Sequence, residues 1–316
     1  MGIGTAAGII LGIAAAGTGV SAYAAVKLFN KVIPRQDQLR VDMDEMADAA
    51  TWEEYKKMIA PRSEWVRSQP LEHITVKSKD GLTLHADMLY AEGESKGIVV
   101  SHHGYTSMNF ANSAIAVFFN KLGYDVLLVD NRAHGKSEGQ FVGFGILDRH
   151  DCIEWIKLMN EKYGKKDIIL YGVSMGASTV VMAAGSSELP DNVKAVISDC
   201  AFTSPYDVFA HIMKRDYHMA EFPVMNINDA ICRKKAGYGF KDYSTLEAVK
   251  TSKTPILFIH GEKDDFVPTW MTEKNFEACT APKDKLIVGN AGHGASYYEN
   301  TELYESKIKE FLGKYL

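Results

Sequence analysis

The chain has 316 residues and a formal net charge of −5 at pH 7, with 46% hydrophobic and 24% charged residues. This composition excludes a disordered or collagen-like chain, and without a basic surplus we expect no nucleic-acid partner. The four cysteines form no CxxC pair, so neither a metal site nor a disulfide framework is predicted.

Residues 1–26 contain no charged side chain. Because about 20 apolar residues cross a bilayer core, we expect an uncleaved transmembrane anchor there. A signal peptide cleaved near Ala22-Tyr23-Ala24 and a buried helix are the alternatives. The first basic residues follow this segment, so the positive-inside rule predicts a single-pass cell-membrane protein whose main domain is cytoplasmic. A secreted or extracytoplasmic domain is the alternative.

Three glycines, Gly4, Gly8 and Gly12, recur every four residues within this segment. Such spacing gives a helix a flat face and favours self-association in lipid. The alternative interpretation is that the glycines only reflect an Ala/Gly-rich composition.

Residues 27–71 are polar and form a connector. Their mixture of acidic and apolar positions predicts an amphipathic helix that ends at the Ala60-Pro61 pair. Its Trp and Tyr side chains either brace the globular domain or lie at the lipid interface.

Residues 72–316 alternate between strand and helix patterns. Period-two hydrophobicity on both sides of Asp80-Gly81 predicts an antiparallel hairpin. Short runs that are apolar throughout follow it and predict parallel strands covered on both faces, with helices between most of them. We therefore expect an α/β fold with a doubly wound, mostly parallel sheet. The runs are 97–100, 125–129, 168–171, 193–197, 255–259 and 286–288, and the expected helices lie near 110–122, 146–163, 175–186, 268–279 and 296–314.

The sequence Gly172-Val173-Ser174-Met175-Gly176 is a G-x-S-x-G motif between a strand run and a helix pattern. A serine on such a sharp turn has a strained backbone, and flanking glycines avoid side-chain collisions there. The motif predicts Ser174 as a nucleophile, with a simple tight turn as the alternative.

A nucleophilic serine needs a base and an acid that orients the base. His293, in Gly292-His293-Gly294 after the last strand run, is the predicted base, because neutral imidazole accepts and returns a proton. The predicted acid is Asp264, at the H-G-x-x-D spacing after a strand run, and Asp265 and Asp199 are the alternatives.

Acyl transfer also needs donors for the oxyanion. The backbone N–H of Met175 follows the nucleophile, and that of Tyr105 lies in the loop after the first buried strand run. We expect these two amides to form the oxyanion hole.

About 50 residues separate Asp199 from the next strand run, which is longer than a usual connection and predicts a helical lid over about 203–250. Its aromatic and Met side chains suit an acyl chain or an aromatic ester, or else they pack down as a cap. Glu221 is the one obvious carboxylate there for holding a substrate amine. The pocket candidates are Phe202, Tyr206, Phe209, Met213 and Phe222.

The order Ser174, Asp264, His293 resembles the nucleophile–acid–base order of α/β-hydrolase fold serine hydrolases. The motifs at 103–105, 130–137, 172–176 and 260–268 resemble that family's motifs. Over 72–316 the chain is most similar to bacterial membrane-anchored enzymes near the monoacylglycerol-lipase, esterase and serine-aminopeptidase branches. It departs at Ala133, where many relatives have Gly. The resemblance implies a hydrolase without cofactors.

We therefore expect a small-molecule ester substrate, hydrolysed by a serine esterase through an acyl-enzyme. A serine peptidase of the same fold is the alternative, and a non-catalytic, membrane-tethered binding module is a more remote one.

Overall fold

The computed structural model describes residues 19–35 and 49–316. Its strands form one sheet in the order β1-β2-β4-β3-β5-β6-β7-β8. The hairpin strands are antiparallel to each other, the second of them is antiparallel to its other neighbour, and all remaining pairs are parallel. The expected fold class is confirmed. The strands are β1 (Glu72–Lys77), β2 (Thr83–Leu89), β3 (Ile98–His102), β4 (Asp125–Val129), β5 (Ile168–Val173), β6 (Val193–Asp199), β7 (Ile256–Gly261) and β8 (Lys283–Val288).

Helices cover both faces of this sheet. Within the described residues they are α1 (19–32), α2 (Ala49–Ser68), α3 (Ser113–Lys121), α4 (Asp148–Tyr163), α5 (Met175–Ala184), α6 (Pro205–Tyr217), α7 (Val224–Ala236), α8 (Thr245–Thr251), α9 (Thr269–Ala278), α10 (Ser296–Glu299) and α11 (Thr301–Leu312).

The central strands are buried on both faces, because successive side chains of a strand point to opposite sides. Val99 and Ile169 pack in one apolar cluster with α2, α3 and α11. Their neighbours Val100 and Leu170 pack in another cluster with α4, α5 and α8. This explains why the strand runs are apolar at every position rather than at alternate ones.

The hairpin turn lies where the sequence predicts it. Gly81 has a φ of +90°, a conformation that favours glycine, and the Ser78 N–H donates to the Leu82 carbonyl. The turn is tied to the rest of the fold by Arg132, whose guanidinium donates to the Asp80 carboxylate.

The insertion between β6 and β7 forms α6, α7 and α8. The hydroxyl of Ser204 accepts from the Asp207 N–H and caps α6, and Pro205 occupies its first turn. Because Ala248 and Val249 of α8 pack into the cluster around Val100, α8 belongs to the helical layer of the sheet. The helices α6 and α7 pack instead in the apolar cluster that contains Met175, and these two helices of the expected lid are here called the lid.

The connector helix differs from expectation. α2 continues through Pro61 to Ser68 instead of ending at Ala60-Pro61, so that prediction was wrong. Burial of Val66 among the side chains of α3 stabilises the second half of the helix. This offsets the loss of the backbone hydrogen bond that proline cannot donate. Tyr55 braces the domain, since it is buried and its hydroxyl donates to Glu299.

Most of the expected anchor, including its three evenly spaced glycines, lies outside the described residues. Residues 19–26 are described, and α1 runs across the boundary expected at residue 26. In the described ranges, no helix combines the length and the hydropathy needed to cross a bilayer.

Candidate active site

The turn between β5 and α5 holds Ser174 in a left-handed backbone conformation, with φ 56° and ψ −115°. Such a conformation is strained for a residue with a side chain, and here tight packing imposes it. A Cβ on Gly172 would lie 2.2 Å from the Gly176 carbonyl oxygen, and one on Gly176 would lie 2.1 Å from the His102 carbonyl oxygen. The two glycines are therefore required by close backbone approach.

Ser174, His293 and Asp264 form one hydrogen-bonded chain. Nε2 of His293 lies 2.8 Å from the Ser174 hydroxyl, and Nδ1 lies 2.7 Å from the Asp264 carboxylate. An ionised carboxylate only accepts, so Nδ1 donates to it and Nε2 is left to accept the serine proton. Ser174 is 9% exposed and His293 is 2% exposed. Loops after β5, β7 and β8 thus bring together the three residues that the sequence singles out.

The Asp264 carboxylate is held in its ionised form. Burial raises the pKa of this carboxyl, but His293 and His260 outweigh that effect and hold the pKa below its usual value. The backbone N–H groups of Phe266 and Val267 also donate to its other oxygen, at 3.0 and 2.9 Å.

A second histidine, His260, contacts the same carboxylate. Its Nε2 lies 3.0 Å from Asp264 and 2.7 Å from the Val267 carbonyl, and its Nδ1 lies 2.7 Å from the Thr272 hydroxyl. Burial lowers the pKa of His260, but the adjacent Asp264 outweighs burial and raises it. His260 is fully buried and contacts the same Asp264 oxygen as His293 does, so it helps to fix the orientation of the carboxylate.

The alternative acids have other partners. The Asp265 side chain is 81% exposed and lies 3.5 Å from Arg215. The Asp199 carboxylate accepts from the hydroxyls of Ser296 and Tyr304, at 3.2 and 3.0 Å. Asp264 is therefore the aspartate hydrogen-bonded to His293.

The segments that carry the two expected oxyanion donors lie next to Ser174. Met175 opens α5, so its N–H is one of the first-turn amides that have no partner inside the helix. The loop carrying Tyr105 is close as well, because a Cβ on Gly104 would lie 3.5 Å from the Ser174 Cβ.

Side-chain hydrogen bonds tie this loop to its neighbours. His103 Nε2 accepts from the Asn131 N–H at 3.1 Å, and the Asn131 amide donates to the His103 carbonyl at 2.9 Å. Arg132 donates to the buried Asp151 through two nitrogens, at 2.6 and 2.7 Å. These residues hold loops in place and do not reach Ser174.

The lid candidates separate into two groups. Phe202, Phe209 and Met213 are buried in one apolar cluster with Met175, and Tyr206 packs against its edge. Phe222, in contrast, is 76% exposed and does not line this cluster. Phe222 therefore lies outside the cluster that holds the other candidates, because the turn after α6 leads it out to solvent.

Sequence reasoning did not identify three residues that lie next to the hydrogen-bonded Ser–His–Asp chain. They are His260, Phe266 and Cys200. The Phe266 ring lies 5.0 Å from that of His293, between centroids. The H-G-x-x-D motif that identified Asp264 also contains His260, so this motif could have indicated His260 from the sequence.

Cys200, Asp264 and His293 are the one group of described residues whose metal-ligand atoms all lie within 4.8 Å of one another. Burial raises the pKa of the Cys200 thiol well above its usual value. Metal binding needs a thiolate, and the other two residues already hydrogen-bond each other, so the donor set fits a proton-transfer site better than a metal site.

Comparisons with known proteins agree with the fold. A family model described as "Serine aminopeptidase, S33" matches residues 93–225. The protein YqkD of Bacillus subtilis (strain 168) is 31% identical over 224 residues, which cover 70% of this chain and 73% of YqkD. The membrane protein YNL320W of Saccharomyces cerevisiae is 24% identical, over 70% of this chain and 72% of its own. The solved structure of the Pyrococcus furiosus esterase Pf2001 superimposes with a TM-score of 0.63 at 21% identity, covering 82% of this chain and 94% of the esterase.

Proposed function

The chain belongs to the α/β-hydrolase family, and on that premise we propose that it hydrolyses carboxylic esters through an acyl-enzyme formed on Ser174. The observation that carries the proposal is the hydrogen-bonded chain from Ser174 through His293 to Asp264, with links of 2.8 and 2.7 Å. Both distances are within reach of direct proton transfer.

In the first half-reaction the Ser174 oxygen attacks the ester carbonyl while its proton passes to Nε2 of His293. The imidazolium that forms is stabilised by the adjacent Asp264 carboxylate, which stays ionised. Collapse of the tetrahedral intermediate breaks the bond to the alcohol, which leaves with the proton from His293. The product of this step is an ester of Ser174.

In the second half-reaction a water molecule gives its proton to His293 and attacks the acyl-enzyme. His293 then returns that proton to the Ser174 oxygen as the acid is released. The N–H groups of Tyr105 and Met175 are proposed to donate to the oxyanion in both steps, and each such donor stabilises the transition state by about 3 kcal/mol.

An apolar ester suits the surroundings of Ser174 better than a peptide does. The Phe144 ring lies 5.1 Å from that of Tyr105 and 4.8 Å from that of Phe209, between centroids, so an aromatic wall links the expected oxyanion loop to the lid. The family model's description supports a serine aminopeptidase as the second candidate. The carboxylate noted for a substrate amine, Glu221, already accepts from the Tyr206 hydroxyl at 3.2 Å.

We also propose that residues 1–26 anchor the enzyme as a single span with the catalytic domain on the cytoplasmic side. The uncharged sequence of this segment and the description of the relative YNL320W as a membrane protein support it. Fractionation of cells that make the full chain, or a chain without residues 1–26, tests the anchor. Recovery of the full chain in the soluble fraction would contradict it.

The test of the activity is labelling by a fluorophosphonate together with rates on p-nitrophenyl esters and aminoacyl p-nitroanilides. We expect labelling of the native chain, faster turnover of the esters, and loss of both labelling and turnover in Ser174→Ala. The rate should fall at least about 1,000-fold. Ser186→Ala, at a serine two residues after the end of α5, is the matched control. Turnover retained by Ser174→Ala would refute the nucleophile, and faster amide hydrolysis would favour the peptidase.

A further inference from the structure

The outer face of α1 is apolar at its start. Val20 and Tyr23 are 68% and 65% exposed, and Val26 is exposed one turn later. The inner face is equally apolar, but Ala25, Phe29 and Ile33 are buried in the cluster that contains the lid side chains. The helix is therefore fixed to the domain by one apolar face and presents a second one outward.

The outer face becomes basic after Val26. Lys27 and Lys31 follow on it, and Lys27 lies 5.6 Å from the Tyr23 ring centroid. A helix that leaves a bilayer has this order of apolar, aromatic and basic residues, because the aromatic rings and lysines lie at headgroup depth.

The turn between α6 and α7 continues this surface. Lys31 donates to the Tyr217 hydroxyl at 3.0 Å, which links the end of α1 to the end of α6. Tyr217 and, five residues on, Phe222 are both exposed. The α1 face and this turn together hold five of the ten large hydrophobic side chains that are exposed among the described residues.

The acidic side chains of the turn have partners of opposite charge or hydrogen-bond donors. Asp216 is paired with Arg215, and Glu221 accepts from Tyr206. The lysines of α1 are joined by Lys214 near the end of α6. Among the described side chains, the charge that this surface offers an approaching partner is thus basic and is carried by Lys27 and Lys214, among apolar side chains.

We propose that this α1–lid surface, formed by Val20, Tyr23, Val26, Tyr217 and Phe222 with Lys27 and Lys214, docks on an anionic lipid bilayer. The 18 residues that precede α1 in the sequence carry no charged side chain, so the chain reaches this surface from an apolar segment. Lysines among apolar residues complement anionic headgroups. Phe222 enters the headgroup layer beside the lid.

Docking places the lid where apolar esters are concentrated. This consequence rests on the proposed ester hydrolysis, whereas the docking itself does not. Substrate then reaches Ser174 from the bilayer through the α6–α7 side of the lid.

The test uses the full chain with Phe222→Cys, labelled with the environment-sensitive dye NBD and reconstituted in phosphatidylcholine–phosphatidylglycerol vesicles. The four native cysteines are buried, so the label goes to the introduced one. Leu303→Cys on α11, also exposed, is the matched control. We expect a blue shift and quenching by brominated lipids at position 222, both weaker in pure phosphatidylcholine, and neither at position 303.

Equal spectra and equal quenching at the two positions would overturn the proposal. A signal at position 222 that depends on protein concentration in detergent, without quenching by lipid, would also overturn it and identify a second copy as the occupant. The readout needs no turnover, so the same measurement in a Ser174→Ala background separates failure of docking from failure of the proposed activity. An unchanged thermal midpoint of each labelled variant establishes that it is folded.

Discussion

The carboxyl edge of the sheet and the lid are held in different ways. At the sheet edge, backbone hydrogen bonds hold the turn that carries Ser174. The Ser174 N–H donates to the Asp199 carbonyl at 2.8 Å, and the Ser174 carbonyl accepts from the Ser178 N–H at 3.0 Å. The lid is held to this edge largely by side chains. His211 and Arg215 of α6 both donate to the Asp265 carbonyl, each at 2.8 Å.

This difference separates two requirements of the proposed reaction. Groups that transfer protons must be preorganised to within a fraction of an ångström, which buried backbone contacts achieve. A cover over a nearly buried nucleophile must let substrate pass, and exposed side-chain hydrogen bonds are easier to exchange for water. We expect substitutions at the sheet edge to abolish activity or folding, and equivalent ones in the lid to have small effects.

The largest expected effect on rate distinguishes two adjacent aspartates. Asp264→Asn removes the carboxylate that orients His293 and stabilises its charged form, so kcat should fall about 10,000-fold. Asp265→Asn keeps the backbone carbonyl that holds α6 and should change kcat by less than about threefold. Steady-state rates on one p-nitrophenyl ester measure both. An equal loss in the two variants would remove the assignment of the acid.

The next effect is on folding. Gly176→Ala places a Cβ against the His102 and His103 carbonyls, at 2.1 and 2.7 Å from their oxygens, and these are backbone atoms that have no room to move. It should lower the free energy of unfolding by about 3 kcal/mol. Gly289→Ala is the control, since the nearest atom to its Cβ is a Glu262 carboxylate oxygen at 3.8 Å. Denaturation with urea measures both. An unchanged free energy of unfolding in Gly176→Ala would show that the turn can accommodate a side chain there.

A pair of histidines compares the two regions directly. His260→Gln weakens the support of Asp264 and should cost about 2 kcal/mol, or roughly thirtyfold in kcat, with KM little changed. His211→Gln removes a similar hydrogen bond from the lid to the Asp265 carbonyl and should cost less than about threefold. Equal losses would mean that the lid is as strictly positioned as the sheet edge.

The pH dependence of stability gives His260 a second readout. Its pKa is raised in the folded protein, with Asp264 and Asp199 as the nearby acids. A group whose pKa is raised in this way stabilises the folded state by its full amount below its unfolded pKa of about 6.5. This contribution is lost as the pH rises through the folded pKa. The difference in thermal midpoint between the native chain and His260→Gln should be larger at pH 6 than at pH 9. A pH-independent difference would indicate a packing role only.

Much of the sheet edge could be predicted from the sequence. Parallel strands end at a common edge, so the residues that follow β5, β7 and β8 are expected along that edge. Because β6 and β7 lie between β5 and β8, the loops complete the approach of the three side chains. The choice between Asp264 and Asp265 is finer. It depends on the N–H groups of Phe266 and Val267, which bond one carboxylate and set the loop, and a local pattern does not specify these contacts.

The lid and α1 could not be predicted to the same depth. Hydrophobic side chains in an insertion look the same whether they pack inward, as Phe209 does, or remain exposed, as Phe222 does. The continuation of α2 through Pro61 could not be predicted for the same reason. It depends on the burial of Val66, which is a tertiary contact. Local propensity is overridden where packing with distant residues stabilises the structure more.

The smallest expected effect concerns the link between α1 and the expected oxyanion loop. The Tyr105 hydroxyl donates to the Val32 carbonyl at the end of α1, at 2.9 Å. Tyr105→Phe should cost about 1 kcal/mol of stability. Tyr206→Phe, which loses a longer and more exposed hydrogen bond to Glu221, is the control and should change little.

If kcat for Tyr105→Phe falls further than the stability loss explains, at a temperature where both variants are fully folded, then α1 positions the backbone donor of residue 105 and the two regions are coupled. If kcat is unchanged, the loop is set by the sheet edge alone, because the contacts of His103 with Asn131 hold it without help from α1.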